Sequence, residues 1–157
     1  MSKWRSHTTS ILVVGIIAIL CAAVTAFLVA ELRPKTDVTL GSRTFNSTVA
    51  DTETGRQKGL SGITTLGPND GLLMVFPDSQ EWGIWMKDMK VPIDIMWLDE
   101  DRIVVHIVMD ASPEIGDSKT FVPTKPALYV LEVAAGTVES AGIKIGDRAN
   151  FRLEGEK

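Results

Sequence analysis

The sequence carries a single cysteine, Cys21, and two histidines, His7 and His106. Beyond Cys21 it therefore has no disulfide framework, no thiol nucleophile and no Cys/His set for zinc. It holds neither a Walker loop nor a dinucleotide fingerprint, so no nucleotide cofactor, or any other cofactor, is expected. Long helical periods between the apolar runs are missing, which argues against a doubly wound α/β sheet. Basic residues are in deficit. Apart from Lys3 and Arg5, 14 basic side chains face 20 acidic ones, and an acidic balance disfavours nucleic acid as a partner.

One long stretch lacks charge altogether. Ile11 to Ala30 reads ILVVGIIAILCAAVTAFLVA, with Thr25 its one clearly polar side chain. At ~1.5 Å per residue, twenty helical residues cover ~30 Å, the hydrocarbon thickness of a bilayer. The stretch is expected to be a transmembrane helix that contacts the lipid bilayer. Two readings stay open, a retained signal anchor or a signal peptide cut near Val24-Thr25-Ala26 and a secreted domain. The length of the run favours the anchor. Leu20 stands where a lipoprotein signal before Cys21 would need a small residue. Lys3 and Arg5 before the span are balanced by Arg33 and Lys35 after it, so charge alone does not orient it. The short basic head favours residues 1–10 as a cytoplasmic tail. Residues 31–36 then form a linker broken by Pro34, and residues 37–157 a domain outside the cytoplasm.

That domain of roughly 120 residues can bury one core without staples. Short apolar runs between turn signals predict strands at Val38–Leu40, Thr44–Ala50, Gly71–Phe76, Trp82–Met89, Ile93–Leu98, Arg102–Met109, Leu128–Val133 and Asp147–Leu153. Asp51–Leu60 predicts one short helix, with Asp51 or Thr52 as N-cap and Gly59 near its end. Gly136–Gly142 predicts a turn or a single helical turn, and Ala111–Pro126 a loop. Several strands are apolar on both faces, which implies a closed barrel or a covered sandwich. The expected fold class is a mainly β, barrel-like or sandwich domain with one or two short helices, preceded by the transmembrane helix.

The run Trp85-Met86-Lys87-Asp88-Met89-Lys90-Val91-Pro92-Ile93-Asp94-Ile95 is distinctive. It occurs with Gly59-Leu60, with Gly71-Leu72-Leu73-Met74-Val75-Phe76, with Val130-Leu131-Glu132-Val133-Ala134-Ala135-Gly136 and with Gly142-Ile143-Lys144-Ile145-Gly146-Asp147. Together, from about Val38 to Leu153, these segments resemble the DUF 192 family, a domain of unknown function. The resemblance implies a compact, mostly β fold of barrel-like type and no established activity. It also implies that export or membrane tethering is common among relatives. Where many members carry a basic residue shortly after the Gly-Leu pair, this chain has Ser61-Gly62-Ile63-Thr64-Thr65.

Two carboxylates are candidates for a site. On strands, Asp94 shares a face with Met96 and Leu98, and Glu132 with Leu128 and Val130. Carboxylates among apolar neighbours are costly unless partnered. They could form an acid/base pair. The structural alternative is that each accepts backbone N–H bonds or meets a cation such as Lys87 or Arg148. Trp82, Trp85 and Trp97 could line a groove or fill the core, and Met86 and Met89 suit either. His106, between Val104 and Val108, reads as a satisfied core residue. Asp99-Glu100-Asp101 reads as a solvated hairpin turn, since it lacks the ligand spacing of an EF-hand. Gly59-Leu60-Ser61-Gly62-Ile63 only approaches a serine nucleophile elbow.

The leading expectation is a membrane-tethered binding or accessory module of the cell envelope, taking an envelope protein or a small polar ligand. The tentative ligand-binding residues are Trp85, Met86, Lys87, Asp88, Pro92, Asp94 and Glu132, where Gly59-Leu60, the Trp85–Asp94 segment and Glu132 converge. No catalytic and no metal residue is assigned. The alternatives are an envelope hydrolase using Asp94 and Glu132, which needs both carboxyls in one cleft, and a structural subunit of a membrane assembly.

Overall fold

A computed structural model describes residues 14–21 and 33–156. Residues 14–21 are helical. Ile11 and Ala30, the ends of the expected span, lie outside the described residues. Among the described residues no helix is long and apolar enough to cross a membrane. Residues 34–157 form a compact unit of their own.

Within that unit a six-stranded sheet runs in the order β1 (Lys35–Leu40), β2 (Arg43–Ala50), β3 (Asp70–Gln80), β8 (Ala127–Ala134), β5 (Ile93–Leu98) and β6 (Val104–Ala111). The pair β2–β3 is parallel and the other four pairs are antiparallel. Helix α1 (Glu53–Lys58) lies in the crossover between β2 and β3. The Thr52 side chain accepts from the Gly55 N–H at its start, and Gly59 caps its end. A smaller sheet pairs β4 (Ile84–Trp85) with β7 (Thr120–Phe121). Helix α2 (Thr137–Ala141) follows β8.

All six residues of β5 are buried, because the sheet is covered on both faces. On one face Leu73, Met96, Leu98 and Leu131 pack with Phe45 and with Val138 of α2. On the other, Leu72, Met74, Ile95 and Trp97 pack with Met86 and Met89. Each such large apolar side chain contributes about 1.5–3 kcal/mol relative to exposure. Two-sided cover thus accounts for the apolar runs that suggested a barrel, and the ladder itself does not close into one. Its edges, β1 and β6, are tied instead by single bridges to one segment, Thr39 to Asn150 and Ile103 to Arg148.

That segment corrects a second expectation. Asp147–Leu153 is not a strand, because it serves two edges in succession and runs along neither. The expected strand Trp82–Met89 shrinks to Ile84–Trp85. Beyond it the Met89 N–H bonds the Met86 carbonyl, and Asp88 takes a positive φ of 57°. The expected loop Ala111–Pro126 contains a 3-10 turn at Pro113–Ile115 as well as β7. Strand β3 runs past its expected end, and its pairing with β8 slips between Val75 and Gln80, around Pro77, which has no N–H to give the ladder. At Gly41 a β-carbon would stand 2.6 Å from the Ala141 carbonyl oxygen, so the β1–β2 turn and α2 approach through a glycine.

Candidate binding site

In β8, Glu132 stands opposite Leu72 of β3 and Ile95 of β5, and its side chain is aimed at the face that holds Met74 and Trp97. It is 3 % exposed, and its Oε2 has no hydrogen-bond partner among the described residues. Burial raises its pKa from 4.5 to about 8, so the group is mostly protonated at neutral pH. Above it lies a cleft of about 410 Å³. Helix α1 supplies one wall with Arg56 and Lys58, continued by Gly59, Leu60 and Ser61. Trp82, Ile84, Trp85 and Met89 supply the other, and Met74 and Phe76 of β3 lie between.

Local bonds hold the two walls in register. The Ser61 hydroxyl donates to the Lys87 carbonyl at 2.8 Å, and the Gly62 N–H to the Asp88 carbonyl at 2.9 Å. Phe76 and Trp82 stack with ring centroids 4.5 Å apart. Arg56 lies 5.3 Å from the Phe76 centroid and donates to the Asp51 and Val75 carbonyls. The Trp82 indole donates to the Asp78 carbonyl. Trp85 is 45 % exposed, with Lys87 Nζ 5.7 Å from its ring centroid.

The residues expected to converge divide into two sets. Trp85 and Glu132 line the cleft, as do Gly59 and Leu60. Asp94 does not. It stands opposite Val133, one residue out of step with the Ile95–Glu132 pair, so the two carboxylates face opposite sides of the sheet. Asp94 is fully buried, its Oδ1 accepting from the Asp110 N–H at 2.9 Å and its Oδ2 from the Val138 N–H at 2.8 Å. The acid/base pair required by the hydrolase alternative is therefore not formed. Met86 is wholly buried in the core, whereas Lys87 and Asp88 are exposed beside the cleft. Pro92 is exposed, and its carbonyl accepts from the Ala135 N–H. Trp97 is core, its indole donating to the Trp82 carbonyl at 2.8 Å. Asp99 Oδ1 accepts from the N–H groups of Asp101 and Ile103, a turn role.

Sequence reasoning overlooked Arg56, Lys58, Met74 and Phe76. One signal was available: Glu53, Arg56 and Gln57 share a helix face at i, i+3 and i+4. Among the described residues no cluster of His, Cys, Asp or Glu could hold a metal ion.

The family model for DUF192, described as "Uncharacterized ACR", matches residues 36–151. The chain belongs to this family. None of the curated proteins compared matches it. A crystal structure of a proposed transcription regulator from Sinorhizobium meliloti 1021 is similar at 27 % identity and a TM-score of 0.72, over 76 % of this chain and 95 % of that one. A protein of unknown function from Novosphingobium aromaticivorans DSM 12444 is 31 % identical with a TM-score of 0.69, over 75 % of this chain and 84 % of that one. The DUF192 domain thus has solved relatives of the same fold, and the cleft around Glu132 lies within the matched region.

Proposed function

We infer that this DUF192 member is a membrane-tethered module of the cell envelope that binds a small ligand in the cleft between α1 and Trp85. One observation carries the reading: Glu132 is buried beside an aromatic-walled cleft with a carboxyl oxygen that no group among the described residues satisfies. Buried polar atoms are nearly always hydrogen-bonded, and an exception beside a cleft points to a ligand partner. The tether rests on the uncharged run Ile11 to Ala30. The Sinorhizobium relative is described as a proposed transcription regulator, but an excess of 20 acidic over 16 basic residues in this chain opposes direct contact with nucleic-acid phosphates.

Two measurements test it. The full-length chain in nanodiscs, screened with small fragments by ligand-observed NMR, should yield hits that Trp85→Ala and Gly59→Val abolish. A screen without cleft-directed hits overturns the reading. In spheroplasts, added protease should digest residues 37–157, and protection of that region behind the membrane rules out the exported placement.

A further inference from the structure

We propose that the cleft ligand is an organic cation, a primary ammonium group on an apolar stem, held by the Glu132 carboxylate and the surrounding aromatic and thioether side chains. The proposal rests on the cleft reading above and adds the chemical class of the occupant.

Three features converge on it. First, among the described residues Glu132 makes no ion pair and its Oε2 accepts no hydrogen bond. A neutral hydroxyl would answer its carboxyl with one hydrogen bond. An ammonium group would also reverse the penalty for charging it, since a buried carboxylate is stabilised by an opposite charge at close range. Second, the neighbouring lining is electron-rich. Phe76, Trp82, Trp85, Met74 and Met89 line the same space, and two of the three rings already carry a cation, Arg56 over Phe76 and Lys87 over Trp85, as expected of aromatic rings that attract positive charge. Third, the backbone beside the buried carboxyl is bare of a side chain. Gly59 has φ 50°, and a β-carbon there would stand 3.3 Å from Met74 Cε and 3.8 Å from Glu132 Oε2. A side chain at this position would fill the approach to the acid.

The charged groups lining the cleft besides Glu132 are Glu53, Arg56 and Lys58, all from α1. The parts of β3 and of the Trp82–Met89 segment that line it are uncharged, as is Ile95, which faces Glu132 from β5. Arg56 is held to backbone carbonyls and lies over Phe76, so its charge is already engaged at the wall. With Glu132 ionised the four lining charges balance, and with it protonated they sum to one positive charge.

The test is isothermal titration calorimetry on the full-length chain in nanodiscs, with three probes: n-pentylammonium, n-pentanol and methyl β-glucoside. n-Pentylammonium is expected to bind at least tenfold more tightly than n-pentanol, and Glu132→Gln to remove that preference. In the wild-type chain its affinity should rise roughly tenfold per pH unit up to about pH 8, with a proton released on binding, because the ammonium requires ionised Glu132. This second readout holds even if Glu132→Gln does not fold. Equal or tighter binding of n-pentanol or the glucoside, lost in Trp85→Ala, overturns the cation and leaves the cleft reading standing. Ammonium binding that is flat with pH and unchanged in Glu132→Gln also overturns it. Silence from all three probes overturns it too, and the fragment screen above then decides the cleft reading separately.

Discussion

Gly59 presents a bare α-carbon to Glu132: a β-carbon placed there would lie 3.8 Å from the unpartnered Oε2. Its φ of 50° and ψ of −133° lie in a region that only glycine occupies readily. Gly59→Ala should therefore lower stability by about 1–3 kcal/mol and narrow the cleft at the same time. Urea unfolding measures the first effect. A midpoint equal to wild type would show that this backbone conformation is not needed.

The pKa of Glu132 makes stability depend on pH. Folded, the group holds its proton up to about pH 8; unfolded, it releases it near 4.5. Between those values the native state binds more protons than the unfolded one, so stability is fully present below the unfolded pKa and declines as pH rises through the folded one. From pH 5 to pH 9 the decline attributable to Glu132 is about 4 kcal/mol. Glu132→Gln should flatten that slope, which chemical denaturation at pH 5, 7 and 9 will read. Parallel profiles in the two proteins would contradict the assigned shift.

Asp94 has a different task, tying β5 to Asp110 near the end of β6 and to the first turn of α2. Asp94→Ala leaves two N–H groups without acceptors and should cost about 3 kcal/mol. Asp94→Asn retains one acceptor oxygen and should cost less. Neither is expected to weaken ligand capture except through unfolding, because the side chain is on the face opposite the cleft. Thermal melts of the two variants check the order.

Trp97→Phe removes the indole donor to the Trp82 carbonyl and part of a fully buried ring. Loss of about 2 kcal/mol is expected. The Trp82 wall should also loosen, visible as altered fluorescence of the remaining tryptophans. A loss below 0.5 kcal/mol, the scale of a surface change, would show that this bond does not brace the cleft.

Local signals were legible where chemistry and geometry coincide within a few residues. Ile93–Leu98 reads as a strand because its six residues are apolar or flanked by apolar ones, and the helix start narrows to Asp51 or Thr52, of which it is Thr52 whose hydroxyl meets the Gly55 N–H three residues on. Trp85 and Glu132 could be named together, with Gly59 and Leu60, from motif order. Asp94 could not be separated from Glu132 in this way, because alternation tells which neighbours share a face within one strand and not which face is matched in the next. That depends on the β5–β8 register, where Ile95 rather than Asp94 meets Glu132. The Asp147–Leu153 error has the same root. Its partners, Thr39 and Ile103, are distant in sequence, and nothing local distinguishes a tie between two edges from a strand beside one.

The stitch made by residues 147–150 has a kinetic side. Close by, the Thr36 hydroxyl reaches the Arg152 carbonyl across 116 positions. Contacts this remote close large loops, which slows folding. Until they form, β1 and β6 present unpaired backbone to other chains, so the interval before closure is when this protein is most exposed to aggregation.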